Sequence, residues 1–207
     1  MILFDSTMSY NFIENVRIIE KSLSSIENER YHSLLQDCVN AIQCGNKVIV
    51  SGLGKNAPIC EKFVGSMLSV GLNCALLHSN TALHGDMGMV KDGDVVVIIS
   101  KSGKTPESVS LLDLLKRRGG SVIWTITFNL DGEIVDRCDK NIILDLEHEG
   151  DLWNVMPMNS ITVTLMVLQG LMIDIMTLLD IPFETFAKNH PGGGIGKNIR
   201  ALNNGQY

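Results

Sequence analysis

The spacing of apolar residues divides the chain into a helical N-terminal part and a longer part of mixed character. In residues 9–44, apolar positions recur at steps of three and four, which predicts helix with a break near residues 28–30. Gly45 then provides the signal of a helix C-cap. We predict a helical segment over residues 1–44, packed on the domain and at a subunit interface, and a second region over residues 45–207.

In the second region, short β-rich runs alternate with helical periodicity. Strands are predicted at residues 47–51, 74–77, 94–100, 121–127 and 141–146. Helices are predicted at residues 57–70, 106–118 and 160–180, with a shorter one near residues 131–137. The run at residues 95–99 is continuously apolar, as expected of a strand covered on both faces. This alternation predicts a single α/β domain, a five-stranded parallel sheet flanked by helices, with binding loops at the carboxyl ends of the strands.

Composition and charge narrow the class of protein. Hydrophobic residues make up 45% and charged residues 19% of the chain, which indicates a globular protein. A net charge of −6 disfavours nucleic acid as a partner. The five cysteines lack Cys-x-x-Cys spacing, which favours reduced thiols in a cytoplasmic protein. The N-terminus has no basic region before its short apolar run, so no signal peptide is predicted.

One segment has the apolar character of a membrane span. Residues 161–179 are apolar for most of their length, but Gln169 and Asp174 interrupt them and no basic residue flanks them closely. A helix that is apolar on most faces is more simply a core helix or one between subunits. We therefore predict a buried helix and no membrane partner.

Two glycine-containing loops follow predicted strands. The sequence GLGKNAP at residues 52–58 lets the backbone approach a ligand and places Lys55 beside a helix N-terminus. The sequence SKSGKTPE at residues 100–107 combines three hydroxyls, a glycine and a helix start, which suits a phosphate monoester. The glycine that a nucleotide P-loop requires is replaced by Ile98. The alternatives are a structural turn with a solvated lysine and a plain capping turn.

Three further motifs carry titratable groups. The sequence HPGGGIGK at residues 190–197 predicts a loop headed by His190, a residue suited to proton transfer; the alternative is a glycine-rich helix exit with an incidental histidine. His84 and Asp86 lack a third ligand at regular spacing, so no metal site is predicted. The acidic residues 147–151 form a solvated loop unless Glu149 converges with His190.

The order of these motifs resembles the sugar isomerase (SIS) domain family. The motifs GLGK, HGDMGM, SxSGxT, a proline before a helix and HPGG follow one another between residues 10 and 200. The resemblance is strongest to D-arabinose 5-phosphate isomerases of 3-deoxy-D-manno-octulosonate (Kdo) biosynthesis. It implies cofactor-free interconversion of ribulose 5-phosphate and arabinose 5-phosphate, with active sites between the subunits of a homotetramer.

The resemblance also implies which residues form the site. The catalytic residues would be Lys55, Glu107, Glu149 and His190. The residues that bind the sugar phosphate would be Gly54, Asn56, His84, Ser100, Ser102, Gly103 and Thr105. No metal is expected. Asn56 and Lys104 depart from the family's pattern, which leaves the exact sugar open.

Two other functions remain open at this level. One is an isomerase of a heptose or hexulose phosphate on the same fold. The other is a sugar-phosphate sensor that binds without turnover.

Many relatives also carry a C-terminal pair of CBS domains, which we do not expect here, so feedback would act on the isomerase domain itself. The hypothesis is that the nucleotide sugar CMP-Kdo binds at the active site; the alternative is control elsewhere in the pathway. Whether the product serves lipopolysaccharide or capsule is open.

Overall fold

The computed structural model describes residues 7–203, and the side chains of residues 11–202. The helices are α1 (Thr7–Ser24), α2 (Asn28–Gln43), α3 (Asn56–Ser69), α4 (Ser79–Ala82), α5 (Pro106–Arg118), α6 (Asn159–Leu178), α7 (Phe183–Asn189) and α8 (Gly193–Asn203). The strands are β1 (Val48–Gly52), β2 (Cys74–Leu76), β3 (Val95–Ile99), β4 (Val122–Thr127) and β5 (Lys140–Ile143). All five strands are parallel, in the order β2-β1-β3-β4-β5, which confirms the predicted sheet.

The sheet lies between two helical layers. Side chains of a strand alternate between faces, so Val95, Val97 and Ile99 of β3 join one apolar cluster, while Val96 and Ile98 join another. Helices α2, α3 and α6 complete the first cluster, and α4 and α5 complete the second. This double coverage explains why β3 is a continuous apolar run.

The predicted C-cap of the second helix is confirmed. Gly45 has a φ of +82°, which a glycine adopts without strain. Its N–H donates to the Ile42 carbonyl, and the N–H of Asn46 donates to the Ala41 carbonyl. These two bonds form a Schellman motif, which ends α2 and turns the chain into β1.

Helix α6 is the one helix among the described residues that is long and apolar enough to span a membrane, with a mean hydropathy of 1.8. One of its faces is buried against α1, α2 and α3, as in a core helix. Asp174, which interrupts its apolar run, accepts a hydrogen bond from the Tyr31 hydroxyl. Met166 and Ile173 on its other face are exposed in the single chain.

Two local predictions are wrong. Residues 131–137 form successive turns rather than a helix, because this segment packs closely on the loop after β3. The predicted loop at residues 190–197 becomes helix from Gly193 onward. Gly193 and Gly194 occupy the first turn, where backbone N–H groups have no partner within a helix anyway, and Ile199 farther along is buried.

The cysteines are free thiols, and three of them, Cys38, Cys60 and Cys74, are buried. Burial raises the pKa of the Cys60 and Cys74 thiols to about 12. These thiols are therefore protonated and unreactive near neutral pH.

Candidate active site

The strand order locates the crevice of the fold between β1 and β3. Chain connections diverge there, and ligands of open α/β sheets bind outside the carboxyl ends of the strands at such a point. Gly52 is paired with Ile99, so the loops that leave β1 and β3 start side by side. The first loop turns at Gly54, with a φ of +57°, and ends at the exposed Lys55, which precedes α3.

The loop of residues 100–105, hereafter the anion loop, is lined by hydroxyl groups. The Ser100 and Thr105 hydroxyl oxygens lie 3.2 Å apart, and the Ser102 hydroxyl accepts the N–H of Lys104 at 3.2 Å. The backbone N–H groups of Ser102, Thr105 and Glu107 have no acceptor among the described residues. Free N–H groups at the start of a helix, together with hydroxyls, are a binding site for a phosphate.

The anion loop is held in place by the segment that follows β4. Backbone N–H of Phe128 donates to the Lys101 carbonyl at 3.1 Å, and the Asn129 side-chain amide donates to the Ser102 carbonyl at 2.8 Å. Gly103 has a φ of +62°, and a Cβ there would lie 2.8 Å from the Cα of Gly132. The close approach requires glycine and gives the loop a fixed shape.

Glu149 is fully buried after β5, at the same edge of the sheet. Its Oε1 lies 2.5 Å from the Lys101 ammonium and 2.6 Å from the Ser160 hydroxyl, which donates to it. Its Oε2 accepts the backbone N–H groups of Met158 at 3.0 Å and Ser160 at 2.9 Å. Glu149 therefore caps the N-terminus of α6 and forms an ion pair with the anion loop.

These contacts determine the charge of Glu149. Burial raises the pKa of its carboxyl, but the hydrogen bonds from Lys101, Ser160 and the backbone of Met158 outweigh burial and lower the pKa below its ordinary value. Glu149 is consequently a carboxylate at neutral pH.

The remaining predicted residues lie around the same edge, with one exception. Asn56 is the first residue of α3, and His84 is exposed in the segment after β2 and α4. Glu107 is exposed in the first turn of α5 and forms no ion pair with a described residue. The exception is His190.

His190 lies at the opposite edge of the sheet. Helices α3 and α6 start at the carboxyl edge and run back, so their ends lie at the amino edge, and the Asn189 side chain donates to the Ser69 carbonyl at the end of α3. The His190 Nδ1 is 2.7 Å from the Phe186 carbonyl, and its ring stacks on Phe186. The five residues of β3 span about 16 Å between the two edges. Within one chain, the structure does not bring His190 and Glu149 together.

Lys101 and Ser160, the two side chains that hold Glu149, are not among the site residues predicted from the sequence. Lys101 stands within the motif SKSGKT, but its partner is 48 residues away, which no local spacing reveals. Among the described residues, no group of three or more metal-binding side chains occurs.

The SIS domain family matches residues 41–173, and the chain belongs to this family. An uncharacterized protein of Helicobacter pylori strain 26695 is 37% identical over 155 residues, which cover 75% of this chain and 47% of that protein. The arabinose 5-phosphate isomerase KdsD of Pseudomonas aeruginosa is 32% identical over 199 residues, which cover 91% of this chain and 61% of that protein. The chain thus spans about half to three fifths of the length of these curated relatives.

A solved structure from Escherichia coli CFT073, in complex with arabinose 5-phosphate, has the same fold. The two structures superpose with a TM-score of 0.82 and are 27% identical in sequence. The match covers 91% of this chain and 100% of that chain.

Proposed function

We propose that this chain is an isomerase that interconverts D-ribulose 5-phosphate and D-arabinose 5-phosphate in the cytoplasm, as a step toward Kdo. The observation that carries the proposal is the anion loop beside the buried, ionised Glu149 at the carboxyl edge of the sheet. Similarity to an arabinose 5-phosphate isomerase and to a structure that holds arabinose 5-phosphate supports the same substrate.

The anion loop would bind the phosphate of the substrate. Ser100, Ser102 and Thr105 offer hydroxyls, and the start of α5 adds free N–H groups and the positive end of its dipole. The anchored phosphate fixes the sugar, so that its first two carbons occupy one position relative to the acid–base groups.

The reaction requires proton transfer with no net oxidation or reduction, because the first two carbons exchange oxidation levels. After the ring of the cyclic aldose opens, a base removes the proton on one of the first two carbons and an enediolate forms. A proton then returns to the other carbon, and a proton passes from one oxygen to the other. Glu149 and His190 are the proposed base and shuttle. Lys55 would stabilise the developing negative charge on oxygen, and Glu107 would act as an acid or orienting carboxylate.

If His190 takes part in the reaction with Glu149, a second copy of the chain must supply it. We propose a homotetramer in which His190 of one subunit completes the site around Glu149 of another. An exposed apolar surface supports it: Phe12 and Val16 on α1 are 76% and 64% exposed, and Leu152 and Trp153 in the loop before α6 are 94% and 71% exposed. A single subunit does not normally leave so much apolar surface in water. The segment of residues 1–44 would then lie at a subunit interface.

An NMR time course with ribulose 5-phosphate tests the proposed reaction. We expect the signals of arabinose 5-phosphate to grow to a constant ratio. Parallel samples with fructose 6-phosphate and sedoheptulose 7-phosphate identify a hexulose or heptose isomerase instead. Saturable binding of ribulose 5-phosphate with no product would contradict an isomerase and indicate a sensor.

We also propose that CMP-Kdo competes with the substrate. The predicted loop at residues 190–197 gives this proposal no support, because residues 193–197 are helical. Lys55 and the hydroxyls of the anion loop remain available to an anionic sugar. Calorimetry with CMP-Kdo should show binding that arabinose 5-phosphate weakens; no heat at millimolar CMP-Kdo would place control elsewhere.

A further inference from the structure

The carboxylate of Glu149 has no free acceptor position. Four donors surround it: the Lys101 ammonium, the Ser160 hydroxyl, and two backbone N–H groups. A carboxylate with this many charged and neutral donors is a weak base. It can take up a proton only if one of its donors leaves.

Lys101 is the donor that can leave. The other three belong to the start of α6 and move only with that helix. The Lys101 side chain, by contrast, is 40% exposed, whereas Glu149 is fully buried. Its backbone is fixed, because its carbonyl accepts the Phe128 N–H and the Thr127 hydroxyl, each at 3.1 Å. The backbone of Lys101 is therefore fixed, whereas its side chain is accessible to solvent.

Lys101 stands between Ser100 and Ser102, so its side chain begins at the anion loop and ends at Glu149. We propose that Lys101 is a positioning residue that changes partners: it holds Glu149 in the empty site, and an anion bound in the loop draws it away. Glu149 Oε1 then loses its charged partner and becomes a proton acceptor only when the loop is occupied. The inference rests on the proposed function only in taking Glu149 as the base.

The other charged or titratable side chains on the loop of Glu149 and on the facing helix α1 form no ion pair or hydrogen bond with Glu149. They are Glu14, Arg17, Glu20, Lys21, Asp145, Glu147, His148 and Asp151. Arg17 and Lys21 pair with Glu147, and Asp151 accepts three backbone N–H groups of its own loop. The first turn of α6 carries no charge. Lys101 is therefore the charged group in contact with Glu149.

Proton uptake on anion binding tests the exchange of partners. Inorganic sulfate is the probe, because it resembles a phosphate dianion but does not titrate near pH 5. Calorimetry in two buffers of different ionisation enthalpy measures the protons taken up per sulfate bound. We expect uptake of a substantial fraction of a proton near pH 5. A neighbouring opposite charge typically lowers a carboxyl pKa by about 1–3, so the departure of Lys101 raises the pKa of Glu149.

Variants assign the proton to Glu149 and the exchange to Lys101. In Glu149→Gln, the uptake should vanish while sulfate binds at least as tightly, because Lys101 is already released. In Lys101→Met, the uptake should vanish and affinity should fall about tenfold, the loss expected for a charge-assisted hydrogen bond. Lys104→Met, which removes an exposed lysine of the same loop, should keep the uptake.

A double variant covers the case in which Lys101→Met does not fold because Glu149 is left unpaired. Lys101→Met/Glu149→Gln removes both charges and should bind sulfate about tenfold more weakly than Glu149→Gln. Equal sulfate affinity of these two variants would overturn the inference. Proton uptake that is as large in Glu149→Gln as in the wild type would also overturn it. Neither measurement uses turnover, so an absence of isomerase activity would contradict the proposed function and leave this result intact.

Discussion

The two edges of the sheet differ in how completely one chain builds them. At the carboxyl edge, Glu149 is fully buried with four donors, and Gly103 packs against the backbone of Gly132. At the amino edge, His190 is held by contacts with Phe186 of its own helix. One edge holds a buried carboxylate beside a loop of hydroxyls and free N–H groups, whereas at the other, among the described residues, the histidine ring contacts Phe186.

Under the proposed function, the two edges would belong to different subunits of one site. The carboxyl edge would contribute the phosphate site and the carboxylate, which need buried donors and a fixed loop. The amino edge would contribute an imidazole to a neighbouring molecule.

Loss of either proposed acid–base group should nearly abolish the reaction. We expect His190→Ala and Glu149→Gln each to lower turnover about a hundredfold or more, as is typical of general acid–base groups. Circular dichroism should show folded protein in both. Near-normal turnover of folded His190→Ala would assign this histidine to helix packing and remove the amino edge from the mechanism.

The apolar surface should be required for assembly. We expect Leu152→Ser/Trp153→Ser to shift the protein toward smaller oligomers in light scattering, because these side chains are 94% and 71% exposed in one chain. Leu130→Ser, at a leucine that is 67% exposed in the loop after β4, is the matched control. A stable monomer of the unaltered protein would contradict the proposal that the two edges meet.

A change in the shape of the anion loop should weaken substrate binding. Gly103→Ala puts a Cβ 2.8 Å from the Gly132 Cα at a φ of +62°. We expect the KM for ribulose 5-phosphate to rise about tenfold, as the loop must shift. Gly45→Ala is the control, since Gly45 has a φ of +82° with nothing within 4 Å, and it should lower stability with KM unchanged.

The smallest expected effect is on stability in acid. Because the pKa of Glu149 is lowered in the folded protein, the unfolded chain binds this proton first as the pH falls. Its contribution is complete above the unfolded value of about 4.3 and is lost as the pH falls through the folded value. Urea denaturation from pH 6 to pH 3 should therefore show a smaller pH dependence in Glu149→Gln than in the wild type; an equal dependence would contradict the ionised pair.

The sequence contained enough information for the sheet and the anion loop, because both depend on local patterns. Continuous apolar runs identified β3, and three hydroxyls before Pro106 identified the loop and the start of α5. The helix predicted near residues 131–137 failed because this segment is bound to the loop after β3, where the Ile134 N–H donates to the Gly103 carbonyl. Helix α8 was missed because its glycines concealed the apolar period of Ile195 and Ile199.

The tertiary relations of the site could not be predicted from spacing. Lys101 and Glu149 form a pair because the loops after β3 and β5 meet across the end of β4, which depends on strand order. The separation of His190 from Glu149 depends on α6 running the length of the sheet before α7 begins. A motif order can imply both residues in one site, but it does not say whether one chain or two supply them.

Mixed oligomers test most directly whether the two edges of different subunits form one site. We would co-express Glu149→Gln and His190→Ala at equal levels and measure turnover of ribulose 5-phosphate by the purified mixture. A shared site pairs intact Glu149 of one subunit with intact His190 of another in about a quarter of sites, so about a quarter of wild-type turnover should return. In a second mixture, the wild type is co-expressed with the double variant Glu149→Gln/His190→Ala. This mixture should give about a quarter of wild-type turnover for a shared site and about a half for a site within one chain. Turnover no higher than that of the two single variants would contradict the shared site.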